Sequence, residues 1–124
     1  MARAATLLIA LAVSALTLGS AVASGATAHP TLTGIVGKND AFKITLTEAG
    51  KLVKTLKPGT YTFVIHDDSA IHNYELDGPN GKSWTFTTPP FIGTKTFTLK
   101  LAAGAYKAYC APHESTMFQH FSVS

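Results

Sequence analysis

With 124 residues and a formal net charge of +3, from ten Lys and Arg against seven Asp and Glu, the chain has room for one domain. No run of basic residues interleaves with aromatics, which excludes a nucleic-acid footprint; Lys51, Lys54, Lys57, Lys95, Lys100 and Lys107 are scattered as on a solvated surface. A single cysteine excludes an internal disulfide, leaving its thiol to pair with another molecule, to react, or to bind a metal.

The first residues read as an export signal. Arg3 supplies a positive start, residues 7–18 an apolar core broken only by Ser14 and Thr17, and Ala21-Val22-Ala23 a small-x-small cleavage site. Ala26 and Ala28 are alternative cleavage points; cleavage at Ala28 would make His29 the amino terminus, offering an amine and an imidazole to a metal. A core of twelve residues is short of the roughly 20 that span a bilayer. Removing residues 1–23 therefore leaves no membrane span and lowers the charge to +2. It places the mature chain in the periplasm or outside the cell.

Residues 24–40 are expected to hold a flexible polar segment and a first strand, and residues 41–124 the domain itself. From there the hydrophobic period is two. Phe42, Ile44 and Leu46 alternate with Lys43, Thr45 and Thr47, predicting a half-buried strand. Residues 52–56 suggest a short edge strand between turns at Glu48-Ala49-Gly50-Lys51 and Lys57-Pro58-Gly59-Thr60. Tyr61, Phe63 and Ile65 alternate again, ending at His66-Asp67-Asp68-Ser69, where His66 reads as a solvated turn residue. A strand over residues 71–76 would put His72, Tyr74 and Leu76 on one face. Further strands are expected around Trp84, through Phe97, Leu99 and Leu101, through Tyr106 and Ala108 to Cys110, and finally through Phe121 and Val123. Short strands separated by Gly and Pro turns predict an all-β Greek-key sandwich or barrel.

The chemistry concentrates in Tyr109-Cys110-Ala111-Pro112-His113-Glu114-Ser115-Thr116-Met117. This stretch unites the only cysteine, one of five histidines, and the one methionine besides the initiator. Thiolate and thioether are soft donors that select copper(I), and two His with one Cys and a long axial Met recur in blue-copper electron-transfer sites. The loop lacks a second histidine, for which His72 is the candidate. Asp67, Asp68 and Glu75 carry no accompanying substrate motif and are not read as an acid–base pair.

Ile71-His72-Asn73, with Tyr109-Cys110-x-Pro112-His113-x-x-x-Met117, resembles the cupredoxins; the segment from His66-Asp67 through Ser69 to His72-Asn73 is similar as well. The resemblance runs from Phe42 to Val123 and implies a cupredoxin-type sandwich. It implies one copper ion held by His72, Cys110 and His113, with Met117 axial and Asn73 ordering the loop beside the thiolate. Three residues, Glu114-Ser115-Thr116, separate His113 from Met117. Other members place fewer or more there, so Glu114 and His120 stay open as alternative donors. The implied function is carriage of single electrons by a monomer, with no enzymatic activity. Redox partners would dock at an apolar patch around His113, with Ala111, Pro112 and Pro89-Pro90-Phe91 as candidates. Copper storage, delivery or protection would use the same residues.

Overall fold

Strands form where apolar and polar residues alternate, because one face must be buried and the other wet. The computed structural model describes residues 27–124 together with Gly19 and Gly25. The export signal expected over residues 1–23 lies outside that continuous range. Two five-stranded sheets face each other. The first runs β3 (Lys51–Leu52), β2 (Ile44–Glu48), β1 (Thr31–Val36), β5 (Gly59–Asp67) and β8 (Gly93–Leu101). The second runs β4 (Thr55–Leu56), β10 (Phe118–Val123), β9 (Gly104–Tyr109), β6 (Glu75–Asp77) and β7 (Ser83–Thr85). Neighbours are antiparallel except for the pairs β1–β5 and β4–β10. The fold is the all-β sandwich that the alternation predicts, and β1 is a central strand of its first sheet. No helix of the described residues is long and apolar enough to cross a membrane.

The inward faces interlock as a dry core. Leu32, Val36, Leu46, Phe63 and Ile65 of the first sheet meet Leu76, Ala108, Phe121 and Val123 of the second. Phe86 stands beside Phe63 at 5.5 Å between ring centroids and beside Phe97 at 4.8 Å. Truncating such a side chain, as in Phe63→Ala, removes about 3–5 kcal/mol. Gln119 adds a polar stitch between the sheets. Its Oε1 accepts from Leu46 N–H at 2.8 Å, and its Nε2 donates to the carbonyls of Leu46 and Val53 at 3.0 Å each.

Two expected strands differ from those observed. Residues 52–56 do not form one edge strand: β3 pairs with β2, β4 pairs with β10, and the chain changes sheets between them. Buried Val53 marks that crossing, its N–H bonded to Leu46 O. Nor do residues 71–76 form one strand, since only Glu75–Asp77 joins a ladder. Side chains and a local turn take the preceding amides instead. Asn73 N–H points to Cys110 Sγ, Tyr74 N–H to Thr87 Oγ1, and His72 N–H to Ser69 O. Freed from the period of two, His72, Asn73 and Tyr74 are all buried in succession.

Candidate metal centre

The first donor comes from the irregular stretch before β6. Tyr74 anchors it: the ring is fully buried, and its hydroxyl donates to Thr45 O at 3.0 Å. A Cβ at Gly34 would lie 2.8 Å from that ring and 2.5 Å from Ile65 Cδ1, so β1 carries glycine where the tyrosine crosses it. Gly37 is the second required glycine. Its φ of +70° suits the left-handed turn after β1, and a Cβ there would fall 2.8 Å from His72 Cδ2. The backbone on both sides of His72 thus closes around a completely buried imidazole.

The other donors sit on the loop joining β9 to β10. Cys110 follows β9 directly and is fully buried. Pro112 lies inside the short 3₁₀ turn Ala111–His113. His113 N–H donates to Cys110 O at 3.1 Å, and Met117 N–H donates to His113 O at 2.8 Å. That second bond spans four residues and closes one helical turn, which returns Met117 toward the side of His113. Cys110 N–H then donates to Met117 O at 3.1 Å and seals the loop base. Met117 is buried in the core cluster. The two alternative donors face elsewhere: Glu114 is exposed and paired with Lys107 at 2.5 Å, while exposed His120 packs edge-on to Phe118 at 5.3 Å.

His72, Cys110 and His113 converge, although 38 positions separate the first two. Cys110 Sγ lies 3.6 Å from His72 Nδ1 and 3.7 Å from His113 Nδ1, and the two Nδ1 atoms are 3.1 Å apart. No other cluster of three His, Cys, Asp or Glu donors is found among the described residues. Burial, and then the neighbouring His113, hold His72 below the ordinary imidazole pKa against the charges of Asp67 and Asp40. A neutral ring with free Nδ1 is the form that binds metal. Burial raises the Cys110 thiol above its ordinary value, opposed by the backbone N–H groups of Asn73 and His113.

Asn73 joins the two segments. Its N–H reaches Cys110 Sγ at 3.4 Å, and its Oδ1 accepts from Ala111 N–H at 2.7 Å. Its Nδ2 donates to Glu75 Oε1 at 2.8 Å, while Glu75 Oε2 accepts from Tyr109 O–H at 2.8 Å. Glu75, dismissed from the sequence as chemistry, is therefore the brace behind Asn73.

Two further readings are corrected. Phe42 is not the first inward residue of β2. It lies ahead of that strand, 57% exposed, with its ring edge-on to His72 at 5.0 Å and His113 at 4.7 Å. The turn-forming Gly37-Lys38-Asn39-Asp40 just before it was the available signal. His66 is not a turn residue: it pairs with Thr94 inside β5, its Nδ1 2.9 Å from Thr94 Oγ1, and Asp67 ends that strand with no exposure at all.

No protein-family model matches the sequence, and no curated protein is similar to it in sequence. Solved structures are similar. Auracyanin A, a "blue" copper protein from the green thermophilic photosynthetic bacterium Chloroflexus aurantiacus, is 21% identical with a TM-score of 0.53, covering 76% of this chain and 98% of its own. Rusticyanin from Thiobacillus ferrooxidans is 19% identical with a TM-score of 0.51 and 76% of each chain covered. A rusticyanin variant with methionine replaced by glutamine is 16% identical, with a TM-score of 0.54 and the same coverage. These neighbours are cupredoxins, and this chain has the cupredoxin fold.

Proposed function

We propose that the chain is an exported, mononuclear blue-copper protein that carries single electrons between redox partners. The observation behind this reading is the convergence of one thiol sulfur and two imidazole Nδ1 atoms within 3.1–3.7 Å. The donor set fits the group: His72, Cys110 and His113 would hold the copper, and buried Met117 would supply a weaker thioether donor. Bound there, copper would supply a one-electron Cu(II)/Cu(I) couple.

The chain's own residues do the rest. Asn73 holds Ala111 and the sulfur in register, so the loop need not rearrange when the charge of the site changes. The β-sandwich shields His72 and Cys110 from bulk solvent. A fully buried thiol supports a ligand over a nucleophile, since an attacking cysteine must be reached by its substrate. His113 is half-buried beside exposed Ala111, Pro112 and Phe42, which favours this edge as the docking patch. The mature chain would begin after Ala23.

Adding Cu(II) to the mature protein should produce an intense visible thiolate-to-copper band with one copper per chain. A reversible potential then separates a carrier from a storage or delivery protein. A colourless complex, or a stoichiometry indifferent to Cys110→Ser, overturns the reading.

A further inference from the structure

His72 uses only one ring nitrogen in the donor cluster. Nδ1 faces Cys110 and His113, while Nε2 is buried without a protein partner. Among the described residues one other buried side-chain nitrogen or oxygen lacks a partner, and it is Asp67 Oδ2. Both residues are 0% exposed.

The two share a corner of the sandwich. Asp67 ends β5 opposite Val36, the last residue of β1 and the neighbour of Gly37. Ser69 N–H donates to Asp67 Oδ1 at 3.3 Å. A Cβ on Gly37 would lie 2.5 Å from Ser69 Cβ and 2.8 Å from His72 Cδ2, the ring carbon bonded to Nε2. The absence of a side chain at Gly37 lets the turn after Asp67 and the ring of His72 meet there. Each residue also feels the charge of the other.

Their chemistry is complementary. An imidazole that offers Nδ1 as a ligand carries its proton on Nε2 and must donate it; a carboxylate oxygen can only accept. A buried polar pair beyond direct hydrogen-bond reach is met by ordered water, which needs two to four polar partners. The Thr87 hydroxyl accepts from Tyr74 N–H at 2.9 Å and turns its proton toward the Asp67 carboxyl, which leaves one lone pair to accept from the water as a third partner.

We propose that Asp67 is the positioning residue for His72, with one buried water accepting from Nε2–H and donating to Asp67 Oδ2. The carboxylate thereby selects the Nε2–H tautomer and aims Nδ1 at the metal position. Ligating histidines are commonly oriented by such a partner, whose loss costs metal affinity 10–100-fold. The inference rests on His72 being a ligand, but its central test needs no metal.

Long-range proton–nitrogen NMR of the metal-free protein at neutral pH should find His72 protonated on Nε2, with a slowly exchanging proton and a cross-peak to a long-lived water. Asp67→Ala should speed that exchange at least tenfold and populate the Nδ1–H tautomer, with amide exchange at Tyr74 unchanged. Asp67→Asn, which keeps an acceptor oxygen, should fall between. Loading with copper(I) should then show affinity reduced 10–100-fold in Asp67→Ala. A wild-type His72 protonated on Nδ1, or one whose Nε2 proton exchanges freely with solvent, overturns the proposal without any variant. Failure to bind copper(I) with the NMR result intact overturns the copper reading alone.

Discussion

The two segments that carry the donors are built by opposite means. Residues 110–117 are held by their own backbone, with Cys110, His113 and Met117 linked through bonds that reach no further than the loop itself. Residues 69–74 are held from a distance: Tyr74 by Thr45 and Thr87, Asn73 by Cys110 and Ala111, and His72 by the bare backbone of Gly37. The first segment is a local turn, tied to the second through Asn73. The second exists only once both sheets have closed. A metal bound by both would therefore tie local structure to tertiary structure, and the segments should respond differently to damage.

The largest effect is expected where both segments meet. Cys110→Ser removes the one sulfur that faces His72 and His113, and the visible band after Cu(II) addition should vanish entirely. Next comes the tie itself. Copper that binds only the folded chain stabilises it by about 4 kcal/mol at a roughly thousandfold excess over Kd. His72→Ala should abolish most of the melting-temperature difference between loaded and metal-free protein, leaving the loop with donors but no anchor.

Asn73→Ala tests the joint between segments without removing a ligand. It strands Ala111 N–H and leaves Glu75 with Tyr109 alone, at a cost of about 1–3 kcal/mol in urea unfolding of the metal-free form. It should also weaken copper about 10–100-fold in competitive titration. Tyr109→Phe, which removes only the far end of the brace, should do less on both measures.

Proton linkage bears on the segment held from a distance and on the strand end behind it. The folded pKa of His72 lies below that of a free imidazole, so the unfolded chain binds the extra proton first. Stability of the metal-free protein should thus fall as pH drops below about 6.5, by about 1.4 kcal/mol for each unit between the two pKa values. Asp67 acts in the opposite sense. Its raised folded pKa, caused chiefly by burial, lowers stability above the carboxylate range and relieves that cost as pH falls further. Urea titrations in Asp67→Asn should lose this partial recovery at low pH and keep the decline near pH 6.

The smallest effect on folding is expected at Met117. Met117→Leu keeps volume and apolar character, so stability should change by less than about 1.5 kcal/mol. Copper and colour should persist while the reduction potential rises; Met117→Gln should lower it by offering a harder oxygen to Cu(II). An unchanged potential in both would make Met117 a packing residue of the loop.

How much was legible follows the same division. Alternation predicts β5, β8, β9 and β10 because each buries one face of a regular ladder, and period two is a local property. The soft donors of the loop are legible for a similar reason: Cys110, His113 and Met117 lie within one turn of chain. Alternation fails at residues 71–76, where distant side chains capture the backbone amides. It fails again at residues 52–56, where the chain leaves one sheet for the other.

What the amino-acid order determined by itself, then, is a two-faced β chain and a loop with a thiol, an imidazole and a thioether at close spacing. What only the tertiary structure decided is the company those donors keep. Phe42 covers both imidazoles, Glu75 braces Asn73, and Asp67 lies buried behind His72. None of these has a periodic signature, because each depends on a partner from another segment, Glu75 on Tyr109 of the neighbouring strand. Burial there is set by which segments close over one another, and turn-like residues such as Asp67 become interior only when that closure is complete.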